Sequence, residues 1–321
     1  MHTTKGKWVL FLYITVLSAL LFLFSAFPRF AAGFDAVLGA PIRAGISALS
    51  GIVPFSMTEL LLLLLLPLVP AVVSVAFRAR RPFSLFLCFL LPYVTLFVLT
   101  FSAGRYRPPL EETLGLDTSP PSAEELLGCA EWLSALAAEV PSPPGEEALA
   151  LRLSSALAVA GEHYGIPVNR AARPKMTRTP LLTSLGYFGL YAFPLGEVTV
   201  AAECPPSVGA FTAAHELAHA SGLLREEEAD AFALLLCLDS RDPYLIYAAA
   251  TGMLGRLLTA LEEVDRGAWT LASEGIPATV RQDLLGAGEV MEEEKAPVTM
   301  TPGVPYGDTV LLLCGIYRAF R

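Results

Sequence analysis

The residues best placed to do chemistry lie in His215-Glu216-Leu217-Ala218-His219. On a helix the two histidines, four apart, stand one turn above each other on the same face. Two imidazoles so placed can grip one Zn²⁺, and Glu216 beside the first can serve as general base toward a water on that metal. A zinc site for hydrolysis needs a third protein ligand and an open fourth position. The other two histidines, His2 and His163, are distant in sequence, so the nearest further ligands are Glu226, Glu227, Glu228 and Asp230. Glu226 and Asp230 are four apart and share a face of a second helix, so one can ligate while the other accepts a hydrogen bond from a ligand histidine. At about 100° per residue, Glu228 lies about 200° from Glu226 and faces away. Gly222 stands between the two helices, where the first must stop before the chain turns back. The plain alternative is a solvated helix face with no metal.

Glu226-Glu227-Glu228-Ala229-Asp230 resembles the E-x-x-[AS]-D segment of gluzincin metallopeptidases, whose zinc is held by the two histidines and a downstream glutamate. The wider pattern H-E-L-A-H-x-x-G-x-x-x-E-x-E-A is similar to the signature of a bacterial family of multi-pass membrane proteins known only as a domain of unknown function. That likeness extends upstream through Leu185 to Glu197, and to the plan of an N-terminal membrane part before a soluble domain. The resemblance implies His215, His219 and Glu226 as ligands, Glu216 as base and Asp230 as the support of a ligand histidine. The sequence departs from many gluzincins in having only six residues between His219 and Glu226.

These residues must be positioned by a chain that is unusually apolar, with 54% hydrophobic residues and a mean hydropathy of +0.55. Charge divides it: residues 1–103 carry net +5 and residues 104–321 net −14. An acidic soluble part argues against nucleic acid as a partner. Apolar runs at 8–27, 55–77 and 83–103 are long enough to cross a lipid bilayer. Residues 33–52, interrupted by Asp35 and Arg43, read as an interfacial or re-entrant helix. Lys5 and Lys7 before the first run, and Arg78, Arg80 and Arg81 between the second and third, place those segments inside and the soluble domain outside the cytoplasm. Arg29, Arg43, Arg105 and Arg107 pull the other way. The five cysteines have no metal-ligand spacing and read as isolated buried thiols.

Residues 104–121 read as a proline-rich acidic linker. Ser122 with Glu125 forms a capping box for a helix at about 123–139. A second helix is expected at about 146–163, with His163 at the surface. Glu197 to Ala201 reads as a short strand, offered as the edge along which an extended peptide could add. Tyr187 and Tyr191 are candidate donors to an oxyanion or contacts to substrate, with core packing as the alternative. Helices are expected at about 208–221, 225–238, 244–264 (core or amphipathic) and 308–320, with an acidic loop at 289–305. No span-length apolar run surrounds His215, which argues against a site inside the bilayer.

The expected protein is mainly α: N-terminal transmembrane helices over 1–103, then a mostly helical zincin-like domain over 122–321 with a small β element. The expected function is that of a bacterial membrane-anchored zinc metallopeptidase acting on peptides or proteins. The other readings are a membrane sensor or scaffold that keeps the fold without turnover, and a zinc hydrolase of a non-peptide amide.

Overall fold

The computed structural model describes residues 2–78, 82–291 and 307–321. The chain is mainly helical, with apolar helices at its N-terminal end and one small three-stranded sheet. The first apolar run forms α1 (His2–Ala26). Pro28, whose missing N–H costs nothing at a helix start, opens α2 (Pro28–Phe34). A π-helical turn, Asp35–Gly39, joins it to α3 (Ala40–Ser50). The second run is α4 (Met57–Arg78), with Pro67 and Pro70 inside it. The third is α5 (Pro82–Phe97), which continues through a second π-helical turn, Val98–Ser102, into α6 (Ala103–Tyr106). The expected interruptions at Asp35 and Arg43 are not exposed charges along an interface. Arg43 Nη1 lies 2.6 Å from Asp35 Oδ1, and both residues are buried.

The expected linker is not a free tether. It contains α7 (Leu110–Leu114), and Leu110 is fully buried in the main core. Ser122 accepts a hydrogen bond from the Glu125 N–H at the start of α8 (Ala123–Leu136), which stops short of 139. Next come α9 (Glu146–His163), β1 (Pro174–Met176), α10 (Leu181–Ser184), β2 (Gly189–Ala192) and β3 (Glu197–Val200). The helices α11 (Pro206–Ala220), α12 (Glu226–Asp239), α13 (Pro243–Val264), α14 (Arg266–Gly275), α15 (Ala278–Met291) and α16 (Asp308–Phe320) complete the fold. Pro206 opens α11, two residues before the expected start. Of the expected acidic loop, residues 289–291 belong to α15 and 292–305 lie outside the described residues.

Strand β3 corrects the expectation of an edge. The sheet order is β1-β3-β2, so β3 is central, paired in parallel with β1 and antiparallel with β2. Its four residues are all buried, whereas β2 alternates between buried and half-buried. β1, only three residues long, gave no alternation from which a partner strand could be read.

Four described helical stretches are long and apolar enough to cross a membrane: Gly6–Ala26, Met57–Val75, Phe86–Tyr106 and Pro243–Val264. The first three are 6%, 11% and 22% buried within the protein, and the fourth 67%. The fourth, α13, is thus the core helix against which α8, α11 and α12 pack. The end of α4 nearest the sheet is bonded to it. Glu197 of β3 accepts from the Met57 and Thr58 N–H groups, Ser56 Oγ and Lys175 Nζ, while Glu59 accepts from the Arg178 and Thr179 N–H groups.

Candidate metal centre

The five residues of the histidine motif sit in the last two turns of α11, which packs on α12, α13 and the sheet through small or apolar side chains such as Ala210, Ala214 and Leu217. Glycine at 222 ends the helix with φ +94°, a left-handed conformation that a side chain would strain. The Leu223 N–H then bonds Ala218 O at 3.1 Å and the Gly222 N–H bonds His219 O at 2.9 Å, a Schellman closure. This turn has a chemical consequence. It brings the Leu223 carbonyl to 2.6 Å from His219 Nδ1. A carbonyl only accepts, so Nδ1 carries the proton and the Nε2 lone pair is left free.

His215 is held the same way by a carboxylate: its Nδ1 lies 2.9 Å from Asp230 Oδ1. Both Nε2 atoms point at Glu226, at 3.2 Å for His215 and 3.6 Å for His219. The ligand atoms of these three residues all lie within 4.8 Å of one another. A tetrahedral ion with bonds of about 2.0–2.1 Å has ligand-to-ligand edges of about 3.3 Å. The two measured separations, each to a different oxygen of Glu226, lie near that edge, so the three residues could hold a metal ion.

The charges of the cluster are paired with one another. Burial would lower the His215 pKa, but Asp230 and Glu226 on its two nitrogens raise it to about 10. Bonds from His215 and His219 hold the Glu226 carboxyl far below the usual carboxylate range. Asp230 is 3% exposed, and burial pushes its pKa up, but Arg256 at 2.7 Å and His215 more than offset this and keep it low. Glu216 is buried and its pKa is raised by that burial, against the nearby imidazoles and the Tyr191 backbone amide. Its proximity to β2 is permitted by Gly189, where a Cβ would collide with Thr212 and Glu216.

The structure therefore brings together His215, Glu216, His219, Glu226 and Asp230. Glu228 faces elsewhere. It is 1% exposed and accepts bonds from the Leu110 N–H at 2.8 Å, Arg225 at 2.9 Å and Arg107 at 3.4 Å. The two candidate tyrosines have different settings. Tyr187 is 51% exposed in the loop before β2. Tyr191 is buried with its ring stacked on Phe101, and its hydroxyl has no partner among the described residues. His163 is at the surface beside Asp239. Two of the thiols are not isolated: those of Cys129 of α8 and Cys314 of α16, both free, share a hydrogen bond.

Sequence reasoning did not assign Arg256, the Leu223 carbonyl, or Thr309, whose hydroxyl donates to Asp230 at 3.4 Å. Arg256 left a signal, being the one basic residue of the apolar helix α13. The other two left none, since one is backbone and one comes from a distant helix.

Fold and site together define a mainly helical protein with several helices apolar enough to cross a membrane and a His/Glu cluster able to hold a metal ion. A family model described as "Protein of unknown function (DUF3810)" matches residues 37–303, and the chain belongs to that family. No curated protein and no solved structure matches the chain.

Proposed function

We propose that this chain is a membrane-anchored zinc-dependent metallopeptidase, with His215, His219 and Glu226 as ligands and Glu216 as general base. One observation carries the reading: two Nε2 atoms and a carboxylate converge on one point, and each imidazole is fixed from behind through Nδ1. A donor set of two nitrogens and a carboxylate suits zinc and leaves a fourth position open. Zinc bound there would act as a Lewis acid toward water and a peptide carbonyl. Glu216 takes a proton from the attacking water as its oxygen joins the carbonyl carbon. It then gives that proton to the nitrogen as the C–N bond breaks, so one water is consumed and a carboxylic acid and an amine result. The burial that raises the Glu216 pKa suits this exchange, because the base must hold the proton between the two steps.

Purified protein loaded with zinc should cut members of a broad peptide library. Glu216→Gln should keep its zinc and lose turnover by about 10²–10⁴-fold or more. Full activity in that variant would remove Glu216 as the base.

The reading also places the domain outside the cytoplasm. α4 starts against the sheet and ends at Arg78, about 33 Å along its axis, while α5 and α6 return to the domain. Arg78 thus lies at the end of the second span remote from the site, and such basic residues stay inside. A reporter active only outside the cytoplasm should be active when fused after residue 110 and silent after residue 80. The reverse pattern would invert the orientation.

A further inference from the structure

The His/Glu cluster is tied to the end of a candidate span at two points. Gly104 of α6 meets the Gly222 carbonyl so closely that a Cβ at 104 would clash with it. Arg225, which precedes the ligand Glu226, donates to the Arg105 carbonyl at 3.4 Å. The third link is the edge strand β2. The Ala201 N–H bonds Phe188 O at 2.8 Å, which fixes the hydrogen-bonded pairs of the β2–β3 ladder as 188/201, 190/199 and 192/197. The backbone N–H and C=O groups of Gly189 and Tyr191 therefore point to the side of β2 that carries no strand among the described residues.

No described strand covers that edge, whose Tyr191 N–H instead bonds the Glu216 carboxylate, and the edge has direction. At Gly189 it lies so near Glu216 that a Cβ there would clash with that side chain. At its other end Phe193 packs among Tyr93, Phe97 and Phe101, with ring centroids 5.0, 5.4 and 5.6 Å away. Those three rings stand on successive turns of the span Phe86–Tyr106. Behind the strand, Gly196 O accepts from Ser47 of α3 at 2.6 Å, so the β2–β3 turn is seated between membrane-side helices. From Gly189 to Phe193 is four strand steps, about 13 Å. A peptide that adds to this edge as another strand would lead from the catalytic glutamate to bilayer level within about four residues.

We propose that the substrate is a membrane-anchored polypeptide, taken in extended form along β2 and hydrolysed a few residues outside its own apolar segment. This rests on the hydrolase reading above: one water adds across one C–N bond, with Glu216 carrying the proton. It goes beyond that reading in naming where on which chains the cut falls.

The test uses the full chain, loaded with zinc, in phosphatidylcholine–phosphatidylglycerol vesicles. The probe is an apolar membrane-spanning segment bearing a tail with three copies of one sequence cut in the library digestion. The copies begin about four, fourteen and twenty-four residues from the segment, and the tail is placed on either end. All three share one molecule, so anchoring alone favours none of them. Mass spectrometry should find the nearest copy cut on the order of tenfold faster in one of the two tail orientations. Equal cutting of the three copies overturns this proposal and leaves the hydrolase standing. Cutting of soluble library peptides but of no copy also overturns it, and cutting of nothing at all removes the hydrolase reading beneath it. A readout independent of turnover uses metal-free Glu216→Gln protein with a photo-cross-linker at Ala192, which is half-buried on β2. Adducts should map to the residues next to the apolar segment, and adducts spread evenly along the tail would overturn the assignment to β2.

Discussion

The first turn of α12 holds two carboxylates that lead opposite lives. Glu226 is 53% exposed and meets two imidazole nitrogens, with no arginine or lysine paired to it among the described residues. Glu228 is 1% exposed and filled by an amide and two guanidinium groups. Helical geometry separates them by about 200°, which sends one to the open cluster and the other into the joint between α12 and the segment after α6. The comparison teaches that acidity near a motif says little. A carboxylate that is buried and fully satisfied holds structure together, while one aimed with imidazoles at a shared point could hold a metal ion.

Exchanging the two roles should be easy to detect. Glu228→Ala should cost about 3–5 kcal/mol in unfolding free energy, because two arginines and an amide lose their buried partner, yet metal content should stay near that of the parent. Glu226→Ala should do the reverse, losing zinc sharply in equilibrium dialysis while the apoprotein melts close to the parent. Equal zinc loss in both would erase the distinction and reassign the third ligand.

Asp230→Asn sharpens the same contrast from behind the cluster. It removes the charge on His215 Nδ1 and the partner of Arg256 without touching a ligand atom. Zinc affinity should fall by about 10–100-fold, the usual cost of losing such a support. An unchanged affinity would mean that the orientation of His215 is set elsewhere.

Glu197 extends the closed type to the joint between β3 and α4. Burial pushes its pKa up, but Lys175, Ser56 and the Met57 and Thr58 amides outweigh this and hold it below the ordinary carboxylate value. Its contribution to stability is therefore complete above the unfolded value of about 4.3 and is lost as pH falls through the lower folded value. The gap in thermal midpoint between the parent and Glu197→Gln should be widest near neutral pH and close in acid. A gap constant from pH 7 to pH 3 would show that this carboxylate is not ionised in its bonds.

Much of the site was legible because its spacing is helical. Two histidines four apart, an acidic pair four apart and a glycine between them define two faces and a turn, and those relations are fixed by local geometry. The apolar runs were legible for a similar reason, since length and composition alone say that a helix can cross a bilayer. What stayed hidden depends on contacts between segments far apart in the chain. Strand order is one such case: β3 alternates no differently as a centre than as an edge, and only the seating of β1 and β2 on its two sides decided it. Arg43 is another, a charge that reads as an interruption until Asp35, Thr100 and Ser221 are folded around it. The sequence by itself determined which residues could meet across one helical turn, because 3.6 residues per turn is a property of the backbone. The tertiary structure decided which tyrosine faces the core, which glutamate is filled and which strand lies at the edge of the sheet, because burial and pairing belong to the whole chain.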